Sequence, residues 1–121
     1  MVAIFNGLMK NSNLAELRVN DNFIKGAAVN RLCKLFYKLG RKKTLRVVDI
    51  SDCDLEQGSI GKAVNYLHGG GAKASLEELH ANYATGDPAN KNEVRKVLDF
   101  LTHFKKLNLI NFANNHVSKD L

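Results

Sequence analysis

The chain has 121 residues, 45% hydrophobic and 25% charged, with 18 Lys and Arg against 12 Asp and Glu for a net charge of +6. That length suits one domain with a real core, and the ordinary charged fraction excludes a disordered polyelectrolyte. No apolar run approaches the ~18 residues of a membrane-crossing helix, the opening MVAIFNGLMKNSN lacks the features of a secretory signal, and two cysteines, Cys33 and Cys53, cannot build a disulfide framework.

The first predicted element is a helix, marked by Ile4, Phe5 and Leu8 at the i, i+1, i+4 spacing of one apolar face. A strand and turn follow, with Leu14, Leu17, Val19, Asn22 and Ile24. The helix pattern then returns at Leu35, Phe36 and Leu39, and the strand pattern at Leu45, Val48, Ile50, Cys53 and Leu55. Tyr66, Leu67 and Gly70 continue the helix columns, and Leu76, Leu79, Ala81, Ala84 and Gly86 the strand columns. Val97, Leu98 and Leu101 mark a last helix, and Leu107, Ile110, Phe112, Asn115 and Val117 a last strand. Every column steps by 31 residues.

Read across, the strand columns spell L-x-x-L-x-L-x-x-N/C-x-L, the leucine-rich-repeat signature. The expected fold is α/β: a leucine-rich-repeat solenoid, with four short parallel strands on a concave side and helices on a convex side. Residues 1–121 form one domain of about four repeats. The chain opens inside a helix and closes after a strand, with no polar capping repeat. It therefore reads as a fragment of a longer protein that leaves Ile4, Phe5 and Phe112 uncovered and can self-associate end to end.

In the fourth column an Asn hydrogen-bonds the backbone where the chain leaves its strand, and Cys53 substitutes as a small buried residue. Ala84 and Gly86 break the pattern, so the stretch from Ala84 to Asn92, with Pro88, reads as irregular. Gly69, Gly70 and Gly71 read as the end of a helix rather than a phosphate loop. His68, His80, His103 and His116 lack metal-ligand spacing, and no catalytic signature or cofactor motif occurs. Lys38, Arg41, Lys42 and Lys43, then Lys105 and Lys106, follow helices, where the macrodipole favours cations. With 7% aromatic residues, most of them in core columns, this pattern argues against a nucleic-acid partner.

The outward strand positions form the candidate partner surface. They are Glu16, Arg18, Asn20 and Asp21; Asp49, Ser51 and Asp52; Glu78, His80, Asn82 and Tyr83; and Asn111 and Asn114. This mixed polar strip suits recognition of a protein surface.

LAELRVNDNFIKGAAV (Leu14 to Val29) and LRVVDISDCDLEQGSIGKAV (Leu45 to Val64) resemble the C-terminal repeats of Ran GTPase-activating proteins. The matches are Asp21-Asn22 with Gly26, then Asp52-Cys53 with Leu55 and Gly58, in the same order. LEELHANYATGD and LNLINFANNHVSKDL resemble the repeats that follow. The resemblance implies a protein that binds Ran in its GTP form and promotes hydrolysis without an arginine finger. In that family a repeat-borne asparagine helps hold the GTPase's own glutamine, which orients the attacking water. That asparagine lies in an N-N-G-like turn absent from this chain, so no catalytic role passes to Asn114 or Asn115, and the family's acidic tail is missing too. Two expectations follow: the C-terminal part of a Ran GTPase activator, or a repeat scaffold for an unrelated partner. Neither is an enzyme with its own active site. The two cysteines fit a reducing cytoplasmic or nuclear compartment, and the expected setting is cytoplasmic, extending to the nuclear envelope.

Overall fold

The structure, a computed structural model, describes residues 2–10, 13–56, 58–82 and 91–112. Helices and strands alternate: α1 (Val2–Leu8), β1 (Glu16–Arg18), α2 (Ala27–Arg41), β2 (Val47–Asp49), α3 (Ser59–Gly70), β3 (Glu78–His80), α4 (Lys91–Leu101) and β4 (Leu109–Asn111). A 3-10 turn, Ala72–Ala74, follows α3. The strands form one parallel sheet in chain order. Parallel neighbours need a crossover, and here each crossover contains an α-helix.

The register carries the 31-residue period into space. Leu17 lies beside Val48, Val48 beside Leu79, and Leu79 beside Ile110. The same step sets the bonds just beyond the strands, where the Val19, Ile50 and Ala81 N–H groups donate to the Asp49, His80 and Asn111 carbonyls at 2.8–2.9 Å.

The core lies between the sheet and the helices. Leu17, Val48 and Leu79 meet Phe36, Leu39, Val64 and Leu67, all buried. Burying each such side chain contributes about 1.5–3 kcal/mol. Phe5, expected to be uncovered, is fully buried where α1 packs on α2. Ile4 is 57% exposed and Phe112 half-buried. Leu98 also departs from its column and is exposed, because α4 turns Val97 and Leu101 inward and Phe104 completes that face. Ile110 is half exposed at the sheet edge.

The turn columns behave mechanically as expected. The Asn22 side chain donates to the Val19 and Asn20 carbonyls at 3.0 and 3.1 Å. Cys53 is buried and donates through Sγ to the Val19 carbonyl at 3.2 Å. A further column was missed: Thr44 and Ser75 donate their hydroxyls to the Leu14 and Leu45 carbonyls of the preceding repeat, at 3.1 and 2.8 Å. Their 31-residue spacing was the available signal. Ala84 and Asn115 lie outside the described residues, as does most of the stretch read as irregular; Lys91 and Asn92, at its end, are already helical.

Gly71 closes α3 in the left-handed region at φ 107°. Gly70 has a second role. It stands in a Leu column because α2 passes so close that a Cβ there would lie 2.5 Å from the Tyr37 carbonyl oxygen. A Cβ on Gly69 would meet only the Tyr37 ring, at 4.0 Å. Gly70→Ala is therefore expected to lose about 1–3 kcal/mol through overpacking, whereas Gly69→Ala stays neutral or gains up to about 1 kcal/mol from helix propensity. Urea denaturation of the two variants checks the contrast.

Candidate functional site

The outward residues of the strands form a surface four positions wide. One row, across the middle of the sheet, is Arg18, Asp49, His80 and Asn111 in successive register. The Arg18 guanidinium lies 3.6 Å from Glu16 and 3.7 Å from Asp49. His80 Nε2 lies 3.0 Å from Glu78 Oε1, and Asn111 Nδ2 lies 2.8 Å from His80 Nδ1. If the Asn111 amide donates to Nδ1, the His80 proton sits on Nε2 and is donated to Glu78. This row holds two polar clusters, one around Arg18 and one around His80, supported by an ordinary β alternation that points Leu17, Val48 and Leu79 into the core.

The row below it is Glu16, Val47, Glu78 and Leu109. Val47 departs from the polar pattern: it faces away from the core yet is fully buried, flanked in register by the two glutamates. Its burial requires the neighbouring side chains to close over it, which tightens the polar surface around an apolar floor.

Of the other residues named from sequence, Asn20, Asp21 and Asp52 are exposed. Asn20 donates to the Asp21 carboxylate at 3.2 Å. Asp21 and Asp52 occupy equivalent repeat positions and both adopt the left-handed backbone, at φ 61° and 55°, which aspartate tolerates better than most residues. Ser51 is not an available contact. It is buried, its N–H is held by the Asp49 carboxylate at 2.9 Å, and its hydroxyl accepts from the Asn82 N–H at 3.1 Å. Tyr83 and Asn114 lie outside the described residues. Two cross-repeat ion pairs were missed: Arg46 with Glu77 at 2.6 Å and Lys25 with Asp54 at 3.1 Å. Arg46 and Glu77 are themselves one period apart with opposite charge, which was a readable signal.

Next to the acidic turn, Phe23 is 79% exposed. A cavity of about 330 Å³ lies between the starts of α2 and α3, lined by Gly26, Asn30, Glu56, Gly58, Ser59 and Lys62 among others. Gly26 and Gly58, the glycines of the two sequence motifs, both have positive φ there, at 58° and 87°.

The histidines are closer together than their sequence spacing implied. His68 on α3 and His103 after α4 have ring centroids 5.3 Å apart, with Phe100 and Phe104 beside His68. Among the described residues no three His, Cys, Asp or Glu gather to hold a metal, and no helix is long and apolar enough to cross a membrane. Burial raises both the Cys33 and Cys53 thiols to about 11, so neither favours the reactive thiolate.

No protein-family model matches the chain. No curated protein matches it either. Among solved structures it is similar to the tropomodulin C-terminal domain from Caenorhabditis elegans, with a TM-score of 0.50 and 9% sequence identity over 92% of this chain and 81% of that one. At that identity the likeness concerns the fold alone: a mixed α/β domain with a four-stranded parallel sheet and four helices.

Burial, with Lys73 and His103 nearby, holds the His68 imidazole below its ordinary 6.5. The unfolded chain therefore takes up a proton at higher pH than the folded chain. Its stability contribution is complete above about 6.5 and falls as the pH drops toward the folded value. His68→Phe is expected to flatten the loss of stability between about pH 7 and about pH 5, read by chemical denaturation at each pH.

Proposed function

We propose that the chain is a leucine-rich-repeat solenoid that recognises a protein partner through its concave sheet face and the adjoining strand-to-helix turns. The observation that carries this reading is the ordered polar row Arg18, Asp49, His80 and Asn111, edged by exposed Asp21, Asp52 and Phe23. Preorganised polar groups around an exposed aromatic residue fit a protein interface better than a catalytic centre. The constant 31-residue register and the likeness to a leucine-rich-repeat-like domain support the solenoid.

The partner we assign is Ran GTPase in its GTP form, with this chain acting as the C-terminal part of a Ran GTPase activator. Support for the assignment is the ordered pair of sequence motifs, each ending in a glycine with positive φ, Gly26 and Gly58. The chain is a binding element in this reading and supplies no residue to hydrolysis. A repeat scaffold with an unrelated partner is the second reading, favoured by the lack of an N-N-G turn and by the basic balance of the chain.

Titration calorimetry against Ran loaded with a non-hydrolysable GTP analogue is expected to show binding. Asp21→Asn with Asp52→Asn, which keeps residues that tolerate the left-handed backbone, should weaken it about tenfold through the lost charge. The chain alone should leave single-turnover hydrolysis unchanged. Absence of binding removes the Ran assignment. A different partner, captured by wild type and lost in the double variant, supports the scaffold.

A further inference from the structure

Charge on this protein is segregated in a way that its total of +6 conceals. Helices α1, α2 and α3 carry Arg31, Lys34, Lys38, Arg41 and Lys62 and no carboxylate at all. Lys42 and Lys43 extend the run past the end of α2. Carboxylates cluster instead on the strands and the turns beyond them, as Glu16, Asp21, Asp49, Asp52, Asp54, Glu56, Glu77 and Glu78, whereas α4 is mixed, with Glu93 and Asp99 beside Lys91, Arg95 and Lys96.

The two sides also differ in pairing. On the sheet side Arg18, Lys25 and Arg46 each have a carboxylate partner. On the helix side, among the described residues, Arg31, Lys34, Lys38, Arg41, Lys42 and Lys43 have no ion pair. Helix polarity accounts for only part of this. A helix C-terminus carries about half a negative charge, yet α2 ends among four cations, Lys38, Arg41, Lys42 and Lys43. Helix α4, with no basic residue in its last turn, does without; Lys105 and Lys106 lie beyond Phe104, four and five residues past its end.

Geometry narrows the occupant. Arg31, Lys34, Lys38 and Arg41 recur at intervals of three and four, so they share one face of α2 over about 15 Å. Lys38, Arg41 and Lys42 line a cavity of about 270 Å³ at its end. On the same face Tyr37 is 42% exposed. Its ring is held edge-on by Tyr66, with centroids 6.5 Å apart at 76°. A line of unpaired cations, a cationic cavity and a fixed aromatic ring match a thread of phosphates bearing flat bases. A lipid surface or an acidic peptide would use the cations and leave the ring unexplained.

We infer that the outer face of α2, from Arg31 to Lys42 with Tyr37, binds single-stranded nucleic acid, phosphates lying along the cations and one base stacking on Tyr37. This surface is separate from the sheet face, so it stands whether or not Ran is the partner there. It revises the expectation, drawn from composition, that nucleic acid is not a partner.

Fluorescence anisotropy of a labelled oligothymidylate of about 12 nucleotides, with the full chain titrated at several salt concentrations, tests it. Affinity is expected to fall with salt with a log–log slope of about −2 to −3, for three to four phosphates. Lys38→Ala with Arg41→Ala and Lys42→Ala should weaken binding at least about tenfold and reduce the slope by about 2. Tyr37→Leu should weaken the oligonucleotide about fivefold or more while leaving competition by inorganic tripolyphosphate unchanged. If the triple variant loses its circular-dichroism melt, Lys34→Gln, on an exposed mid-helix position, is read instead by its smaller salt slope. No binding at low salt, unchanged binding by the folded cation variants, or equal loss of tripolyphosphate in Tyr37→Leu overturns the proposal. So does tighter capture by phosphatidylserine vesicles or polyglutamate than by the oligonucleotide.

Discussion

Each repeat of this protein is completed by the repeat 31 residues away. The N–H groups of Val19, Ile50 and Ala81 find their acceptors one strand over, at Asp49, His80 and Asn111. Thr44 and Ser75 reach back to the carbonyls of Leu14 and Leu45. Buried backbone groups must be paired, and here the pairing at the strand ends crosses between repeats, while the helix ends are closed by local turns. A repeat in isolation would leave those groups and one apolar face open, so the array is the smallest stable unit. Everything on the sheet face inherits its spacing from that ladder, including the row from Arg18 to Asn111.

The helices must keep pace with the strands, and glycine lets them. Strand neighbours sit about 4.8 Å apart, whereas packed helices prefer 8–10 Å. The crowding falls where α2 meets α3: a Cβ on Gly70 would enter the Tyr37 backbone, and one on Gly40 would lie 3.0 Å from the Ala72 nitrogen. These two residues, at different repeat positions, let the elements approach while the 3-10 turn at Ala72–Ala74 hands the chain back to β3. Tyr37 and Tyr66 then pack edge to face across the same junction. A small residue on the inside thus fixes an aromatic one on the outside.

How much of this was legible depends on whether a residue answers to the period or to its neighbours. The strands, their register and the core columns follow from periodicity, because every repeat faces the same sheet. Asn22 and Cys53 were readable for the same reason. Val47 was not: its position is outward in every repeat, yet it is fully buried between Glu16 and Glu78 in register. Leu98 and Ile4 depart from the burial their columns predict, on helices α4 and α1, each packed against one neighbouring helix among the described residues. His68 and His103 belong to different columns, and only the packing of α3 on α4 brings their rings to 5.3 Å. On the candidate surface, the residues were readable and their pairing was not. Sequence offered Ser51 as a contact, whereas the turn uses it internally, and Asp49 accepts from the Ser51 N–H through one oxygen while the other faces Arg18.

Charge follows a different logic from packing. All the helices of such an array run the same way, so their dipoles add rather than cancel, and acidic starts with basic ends offset that sum. The acidic turns after the strands and the cations after α2 both fit this. It explains polarity along the helix axis, from one rim to the other. It does not explain polarity across the axis, where the outer face of α2 holds Arg31 and Lys34 well before the helix end. Arg31 sits in the second turn and Lys34 in mid-helix, both outside the first and last turns where the dipole acts. The dipole does not account for these two cations, and among the described residues neither has an ion pair. Self-repulsion along that face is a standing cost, and an anionic ligand is the simplest means of relieving it.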